Sequence, residues 1–292
     1  MLLALALVAG LTFDHAVPPG TNYDKAEFRL WIPDGVASAR ALVVLVPGSN
    51  GDGRGQVDDP VWQTFAAKHR LALVGVRLTD KQHDQMFIEH YVNVSQGSGQ
   101  AFLDSLSALA QESKHPEVAT APLLLWGMSA GGEFNYEFAA WKPERVIAFV
   151  VNKGNVYYTA LAPDAARHVP GILFTGEKDL AFRVDAIAGL FAINRRAGAL
   201  WAYAQEPGVG HEVAHSREFA LVFYEEMLSA RLSDGGALKP LDDKSGLFGD
   251  AKTQTVQAAG ETKPPSAYPV SWLPNARVAR AWQAVLAGKV VE

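Results

Sequence analysis

The sequence predicts an α/β protein built on a mostly parallel, doubly wound sheet of about eight strands with helices on both faces. Three observations predict it. Short, continuous apolar runs recur along the chain, as strands buried on both faces require. Stretches with apolar residues three and four apart separate them, so strand and helix alternate. Of the 292 residues, 49% are hydrophobic and 20% charged, which excludes a disordered chain.

Taken in order, the first forty residues, including 27–32 (EFRLWI), add antiparallel edge strands. Residues 41–46 (ALVVLV) form a buried strand that ends at Pro47-Gly48. Residues 61–70 have helical spacing, and 71–78 (LALVGVRL) form the next strand. A helix over 101–111 leads to a strand at 123–126 (LLLW). A helix over 130–141 is followed by a strand at 146–152 (VIAFVVN). Two more strands lie at 171–175 (GILFT) and 200–204 (LWAYA), and a helix covers 216–231. Residues 233–271, rich in Gly, Pro, Lys and Asp, read as a long loop, and 276–286 as a terminal helix. Residues 1–20 therefore stand as a signal or N-terminal segment, 21–232 as the catalytic body, and 233–292 as an extension packed on that same body.

Composition removes several function classes. The net charge of −5, from 26 basic and 31 acidic residues, offers no basic face for a nucleic acid. The chain has no cysteine, which excludes disulfides, thiolate catalysis and iron–sulfur clusters. The apolar run at 2–9 has the length of a signal-peptide core and is too short to span a bilayer. It points to a secreted or periplasmic protein, with cytoplasmic residence and a docked N-terminal strand as the other reading. No membrane insertion is expected, and the oligomeric state is not legible.

The chemistry lies where strand 123–126 runs into Gly127-Met128-Ser129-Ala130-Gly131-Gly132 and a helix follows. This is G-x-S-x-G in a strand–turn–helix setting. The turn is so tight that its flanking residues must be small, hence Gly127 and Gly131. Ser129 then stands clear of the sheet as a nucleophile. The helix N-terminus aims N–H groups at developing negative charge.

In these residues the chain resembles the α/β-hydrolase superfamily over roughly 28–231. The resemblance implies the order Ser…Asp/Glu…His, with the acid after a late strand and the histidine after the last one. Asp179, in Gly176-Glu177-Lys178-Asp179, matches the acid, and His211, which follows Pro207-Gly208-Val209-Gly210, matches the base. Glu177 and His215 are the respective rivals. A serine hydroxyl needs such an imidazole to take its proton, and the imidazole needs a carboxylate to fix its tautomer. The resemblance also implies two oxyanion donors. One is the Ala130 N–H. The other comes from Pro47-Gly48-Ser49-Asn50, with Ser49 the first choice and Asn50 the second. No large lid is implied.

No metal or other cofactor is expected. His211-Glu212-x-x-His215 has the letters of a zinc-protease helix, but Pro207, Gly208 and Gly210 just before it oppose a helix there. The remaining histidines read as surface or loop residues, with His90 on a loop that could overhang the site. Substrate contacts fall on Asn50, Met128, Phe87, Tyr91, Tyr157 and Phe182, whose loops leave the carboxyl ends of the strands. An open serine site resembles feruloyl esterases, acetylxylan esterases and polyhydroxyalkanoate depolymerases. The expected activity is hydrolysis of a small or polymeric carboxylic ester, short-chain, aryl or polyester in type, through an acyl-enzyme. A serine peptidase of the same fold is the alternative, and a non-catalytic binding module the remaining one. The tail beyond residue 232 either wraps the sheet or reaches the site with Tyr268 and Trp272.

Overall fold

The computed structural model describes residues 8–260 and 269–291. Most of the apolar N-terminal run and Tyr268 lie outside the described residues. In chain order the elements are β1 (Gly10–Val17), β2 (Lys25–Pro33), β3 (Leu42–Val46), α1 (Pro60–His69), β4 (Ala72–Thr79) and α2 (Ser98–Ser113). Then come β5 (Leu123–Gly127), α3 (Ala130–Trp141), β6 (Val146–Asn152), α4 (Asp164–Arg167), β7 (Gly171–Gly176) and α5 (Ala181–Arg196). The chain closes with β8 (Trp201–Glu206), α6 (Ser216–Arg231), β9 (Leu247–Asp250), β10 (Thr255–Ala258), β11 (Ser271–Leu273) and α7 (Ala276–Leu286).

The main sheet has eight strands in the order β1-β2-β4-β3-β5-β6-β7-β8. The β1–β2 and β2–β4 pairings are antiparallel, and every pairing from β4 to β8 is parallel. The mostly parallel sheet and its antiparallel N-terminal edge are thus as the sequence predicts. Every residue of β3, β5 and β6 is buried, which is why these strands read as continuous apolar runs rather than alternating ones. Alternation is present but serves two cores. Leu42, Val44 and Val46 of β3 join a core with Phe102 of α2 and Phe134 of α3. Val43 and Leu45 face a second core with Trp62 of α1, Phe223 of α6 and Trp282 of α7. Helices therefore cover both faces, and the C-terminal ends of the parallel strands are left to the loops.

Helix boundaries follow local chemistry. Asp59 caps α1 through its side chain on the Val61 N–H, and Pro60 opens the helix. α2 exceeds the predicted 101–111 at both ends: Gly97, at φ 137°, turns the chain into a helix that starts at Ser98, and Lys114, at φ 60°, ends it after Ser113.

The stretch 233–271 differs from the expected loop. It contains β9 and β10, and β11 begins at its end; the three form a small antiparallel sheet in the order β10-β9-β11. Strands of three and four residues carry too little pattern to be read from sequence. Tertiary contacts hold them. Ser271 Oγ accepts from the Tyr203 N–H of β8 at 2.9 Å, and Arg195 of α5 donates to the Val270 carbonyl at 2.8 Å. Trp272 is buried in this small sheet and its Nε1–H donates to the Asp243 carbonyl. Trp282 of α7 is fully buried, and its Nε1–H donates to the Tyr203 carbonyl at 2.8 Å. Trp282→Ala is expected to cost about 3–5 kcal/mol, the range for deleting a buried tryptophan. The urea midpoint of the full-length variant checks this; an unchanged midpoint removes α7 from the cooperative core.

Candidate active site

β5 lies between β3 and β6 and ends at Gly127. Two residues on, Ser129 has φ 55° and ψ −127°, a strained backbone for a non-glycine residue that typically costs about 1–3 kcal/mol. The strain is held from several sides. The Ser129 N–H donates to the Asn152 carbonyl at 2.8 Å, and the Gly131 and Gly132 N–H groups donate back to Met128 and Ser129. A Cβ on Gly127 would collide with the Gly131 carbonyl. One on Gly131 would run into Val46 and would meet the Pro47 carbonyl at 2.6 Å. Both glycines are required because backbone packs on backbone. Ser129 itself is half-buried.

The same closeness sets the loop after β3 beside the serine. A Cβ on Gly48 would lie 3.5 Å from Ser129 Cβ. Among the described residues the N–H groups of Ala130 and Ser49 form no hydrogen bond, so both are free to donate. Asn50, at φ 53°, gives its N–H to the Tyr91 hydroxyl at 3.3 Å.

Asp179 and His211 meet directly. The His211 Nδ1 lies 2.8 Å from Asp179 Oδ2. The Asp179 side chain is 2% exposed and the His211 ring 30%. Burial pushes the Asp179 carboxyl up, but hydrogen bonds from His211, the Leu180 N–H and Arg183 outweigh it and hold the group below its ordinary value. The loop bearing His211 rests on the end of β7, where a Cβ on Gly176 would collide with Gly210. Glu177 accepts from the Gly208 N–H at 2.6 Å and so ties down this loop, while Asp179 takes the histidine. The structure does not join Ser129 to His211: among the described residues no hydrogen bond links them. Catalytic hydrogen bonds are commonly loose without substrate.

His215 gives only its backbone N–H, to Glu206 at 2.9 Å. Residues 211–215 lie in turns and bends and α6 starts at Ser216, so His211 and His215 do not share a helix face. Phe87 and Phe182 are exposed with ring centroids 5.7 Å apart, and the Arg183 guanidinium lies over both rings. Tyr91 is 1% exposed and stands behind the Ser49–Asn50 turn. Tyr157 packs edge-on to Tyr136 at 5.2 Å, with its hydroxyl buried and unpartnered. Met128 is half-buried, and Asn152 Nδ2 reaches its sulfur at 3.3 Å.

Sequence reasoning missed two groups behind the site. Lys153 is fully buried at φ 56°, directly after β6. Its Nζ donates to Asn152 Oδ1 at 3.1 Å and pairs with Glu206 at the end of β8. Burial lowers its ammonium pKa, and Glu206 opposes that shift. One buried cation therefore connects Asn152, which holds the Ser129 N–H, to Glu206, which holds His215. Each residue is a charge just beyond an apolar strand, a position that from sequence reads as solvated. The second group is Glu133, one turn after Ser129. Burial, and secondarily the charge of Glu89, push its carboxyl up to about 8.

No family model and no curated protein match this chain. Solved structures do. A ferulic acid esterase superposes with a TM-score of 0.54 at 12% identity, covering 75% of this chain and 97% of its own. An esterase from Pyrobaculum calidifontis gives 0.50 at 16%, covering 75% and 85%. A poly(3-hydroxybutyrate) depolymerase from Bordetella parapertussis gives 0.50 at 17%, covering 78% and 92%. Likeness at these identities establishes the fold, and the chain has the α/β-hydrolase fold. Among the described residues no helix is long and apolar enough to cross a membrane.

Lys153→Met leaves Glu206 buried without its cation and is expected to cost about 3–5 kcal/mol. Adding Glu206→Leu should recover part of that loss, which a denaturant double-mutant cycle reads directly. Glu133 gives a pH test. Its carboxyl ionises near pH 4.3 in the unfolded chain and only near 8 in the folded one. The native state therefore holds the extra proton, and its stability falls as pH rises between those values. Glu133→Gln removes that loss. Its gain over the parent should grow from pH 5 to pH 8, reaching a few kcal/mol. Equal midpoints at both pH values would show that Glu133 is ionised throughout.

Proposed function

We propose that the protein is a serine hydrolase of carboxylic esters working through an acyl-enzyme, with Ser129 as nucleophile, His211 as general base and Asp179 as its orienting acid. Two observations support this reading: a preformed Asp179–His211 pair on the loops after β7 and β8, and a serine held in a strained turn at a helix N-terminus. With Nδ1–H given to Asp179, the His211 Nε2 keeps its lone pair to take the serine proton. Serine Oγ then bonds to the acyl carbon, and the carbonyl oxygen gains negative charge. The free Ala130 and Ser49 N–H groups are the donors for that charge. Ser49 is preferred to Asn50, whose N–H is already given to Tyr91. His211 passes its proton to the leaving alcohol, and water repeats the sequence to release the acid.

The substrate reading is a short-chain, aryl or polyester ester. Phe87 and Phe182 support it as two exposed rings under Arg183, which also contacts Asp179, because an aromatic edge or face packs well on an aryl or flat acyl group. Two neighbours of the fold are a ferulic acid esterase and a poly(3-hydroxybutyrate) depolymerase.

Hydrolysis of p-nitrophenyl acetate and of methyl ferulate by the parent and by Ser129→Ala tests the reading. Ser129→Ala is expected to lose about 10³-fold or more in kcat with KM little changed, and Asp179→Asn about 10²–10⁴-fold. An alkyl phosphonate ester should add one equivalent to the parent and none to Ser129→Ala, read by intact mass. A Ser129→Ala variant with full activity overturns the assignment.

A further inference from the structure

Among the described residues one group of three donors converges outside the proposed catalytic centre: Asp80, His83 and His90, each offering one ligand atom within 4.8 Å of the others. Asp80 directly follows β4, and the other two lie on the segment that leads toward α2. From these residues we infer a binding site for one divalent transition-metal ion, zinc in the first instance, that clips this segment at the mouth of the site. The inference does not depend on the ester-hydrolase reading.

The carboxylate is preorganised. The His90 and Tyr91 N–H groups donate to Asp80 Oδ1 at 2.8 and 3.1 Å. That leaves Oδ2, which is buried and has no hydrogen-bond partner, on a side chain only 5% exposed. His83 Nε2 faces it at 3.3 Å without the alignment of a hydrogen bond. Oδ2 has lone pairs on that side, and Nε2 offers one once its ring proton has moved to Nδ1. Donors on a tetrahedral ion with bonds of about 2.0–2.2 Å stand about 3.4 Å apart. The His90 ring stacks on His83 with centroids 4.4 Å apart, and Gln85 Oε1 meets His90 Nε2 at 2.6 Å. Gln85 thus steadies the ring as outer partners of metal-bound imidazoles do. Binding through His83 Nε2 moves the ring proton to Nδ1, in exchange for the long 3.2 Å contact from the Gln85 N–H.

Two imidazoles and one carboxylate suit zinc and its neighbours better than calcium or magnesium, which take oxygen donors. The group borders an open cleft of about 370 Å³ whose walls include Asn50, Asp80, His83 and Phe87, so an ion has an entry path and a fourth position for water. Asn50 Oδ1 also accepts from the Asp80 N–H at 2.7 Å, which joins the clip to the turn beside Ser129. An ion here would fix both ends of the stretch that carries Phe87.

The test is zinc sulfate titrated by calorimetry into EDTA-stripped, dialysed full-length protein, with cobalt(II) substitution followed by visible absorption. One equivalent of Zn²⁺ is expected, with tetrahedral d–d bands for Co²⁺ and a raised melting temperature. His83→Ala and His90→Ala leave the Asp80 Oδ1 bonds to backbone intact, and circular dichroism checks their folding. Each should weaken Zn²⁺ at least tenfold and abolish the cobalt bands, while His211→Ala should leave binding unchanged. No binding at millimolar Zn²⁺, binding that survives the His83→Ala/His90→Ala double variant, or binding lost in His211→Ala overturns the inference.

Discussion

The close approach of two backbones carries this structure. The carbonyls of Val46 and Pro47 sit against Gly131, and the Gly131 carbonyl sits against Gly127. No side chain fits in either gap. That contact pulls the turn after β3 against the turn after β5, and it sets Gly48 beside Ser129. The strain of Ser129, the free N–H groups of Ser49 and Ala130, and the direction of α3 all follow from it. For the proposed reaction a serine held this way needs no further ordering, which is the general advantage of a preorganised polar site.

A second layer of constraint is electrostatic and lies beneath the first. Lys153 and Glu206 are buried together; Lys153 also satisfies Asn152 at the end of β6, and Glu206 the His215 N–H. Buried ion pairs are weak sources of stability because desolvation offsets their attraction. Their value here is geometric. The strand ends of β6 and β8 do not touch in the sheet, since β7 separates them. The pair spans that gap and ties the loop after β8 to the turn at Ser129. Asp179 is fixed more locally, by three donors that hold its charge although its side chain is almost fully covered.

Much of this was legible in the sequence, for physical reasons. Residues 146–152 and 216–231 carry uninterrupted patterns, so the boundaries of β6 and α6 match the reading. Ser129 was legible because its constraint is local: two glycines, a strand before and a helix after. Asp179 and His211 were singled out by the resemblance, which sets an acid and a histidine after late strands, and their side chains meet although 32 residues apart. What stayed hidden depends on partners distant in the chain. Lys153 and Glu206 are 53 residues apart, and neither position signals burial alone. The small sheet β10-β9-β11 rests on Ser271, Val270 and Trp272, which find their partners only in the folded body. Asp80, His83 and His90 showed the spacing D-x-x-H-x₆-H, but three donors in a polar stretch carry no periodic signal. Tyr91 was read as a surface for substrate, and it is instead a buried support behind the Asn50 turn.

The contacts of Trp282 and Ser271 with Tyr203 also bear on how the protein is made. Synthesis runs from the N-terminus, so β8 leaves the ribosome well before the residues that cover it. Until then its backbone edge and the face that receives Trp282 meet solvent. That half of the sheet carries both Asp179 and His211. The turn at Ser129 is constrained by residues made earlier, Val46, Pro47 and Asn152 among them. The half that carries the Asp179–His211 pair is covered only when α7 arrives. The Asp179–His211 half of the sheet thus depends on residues made later than those that shape the turn at Ser129.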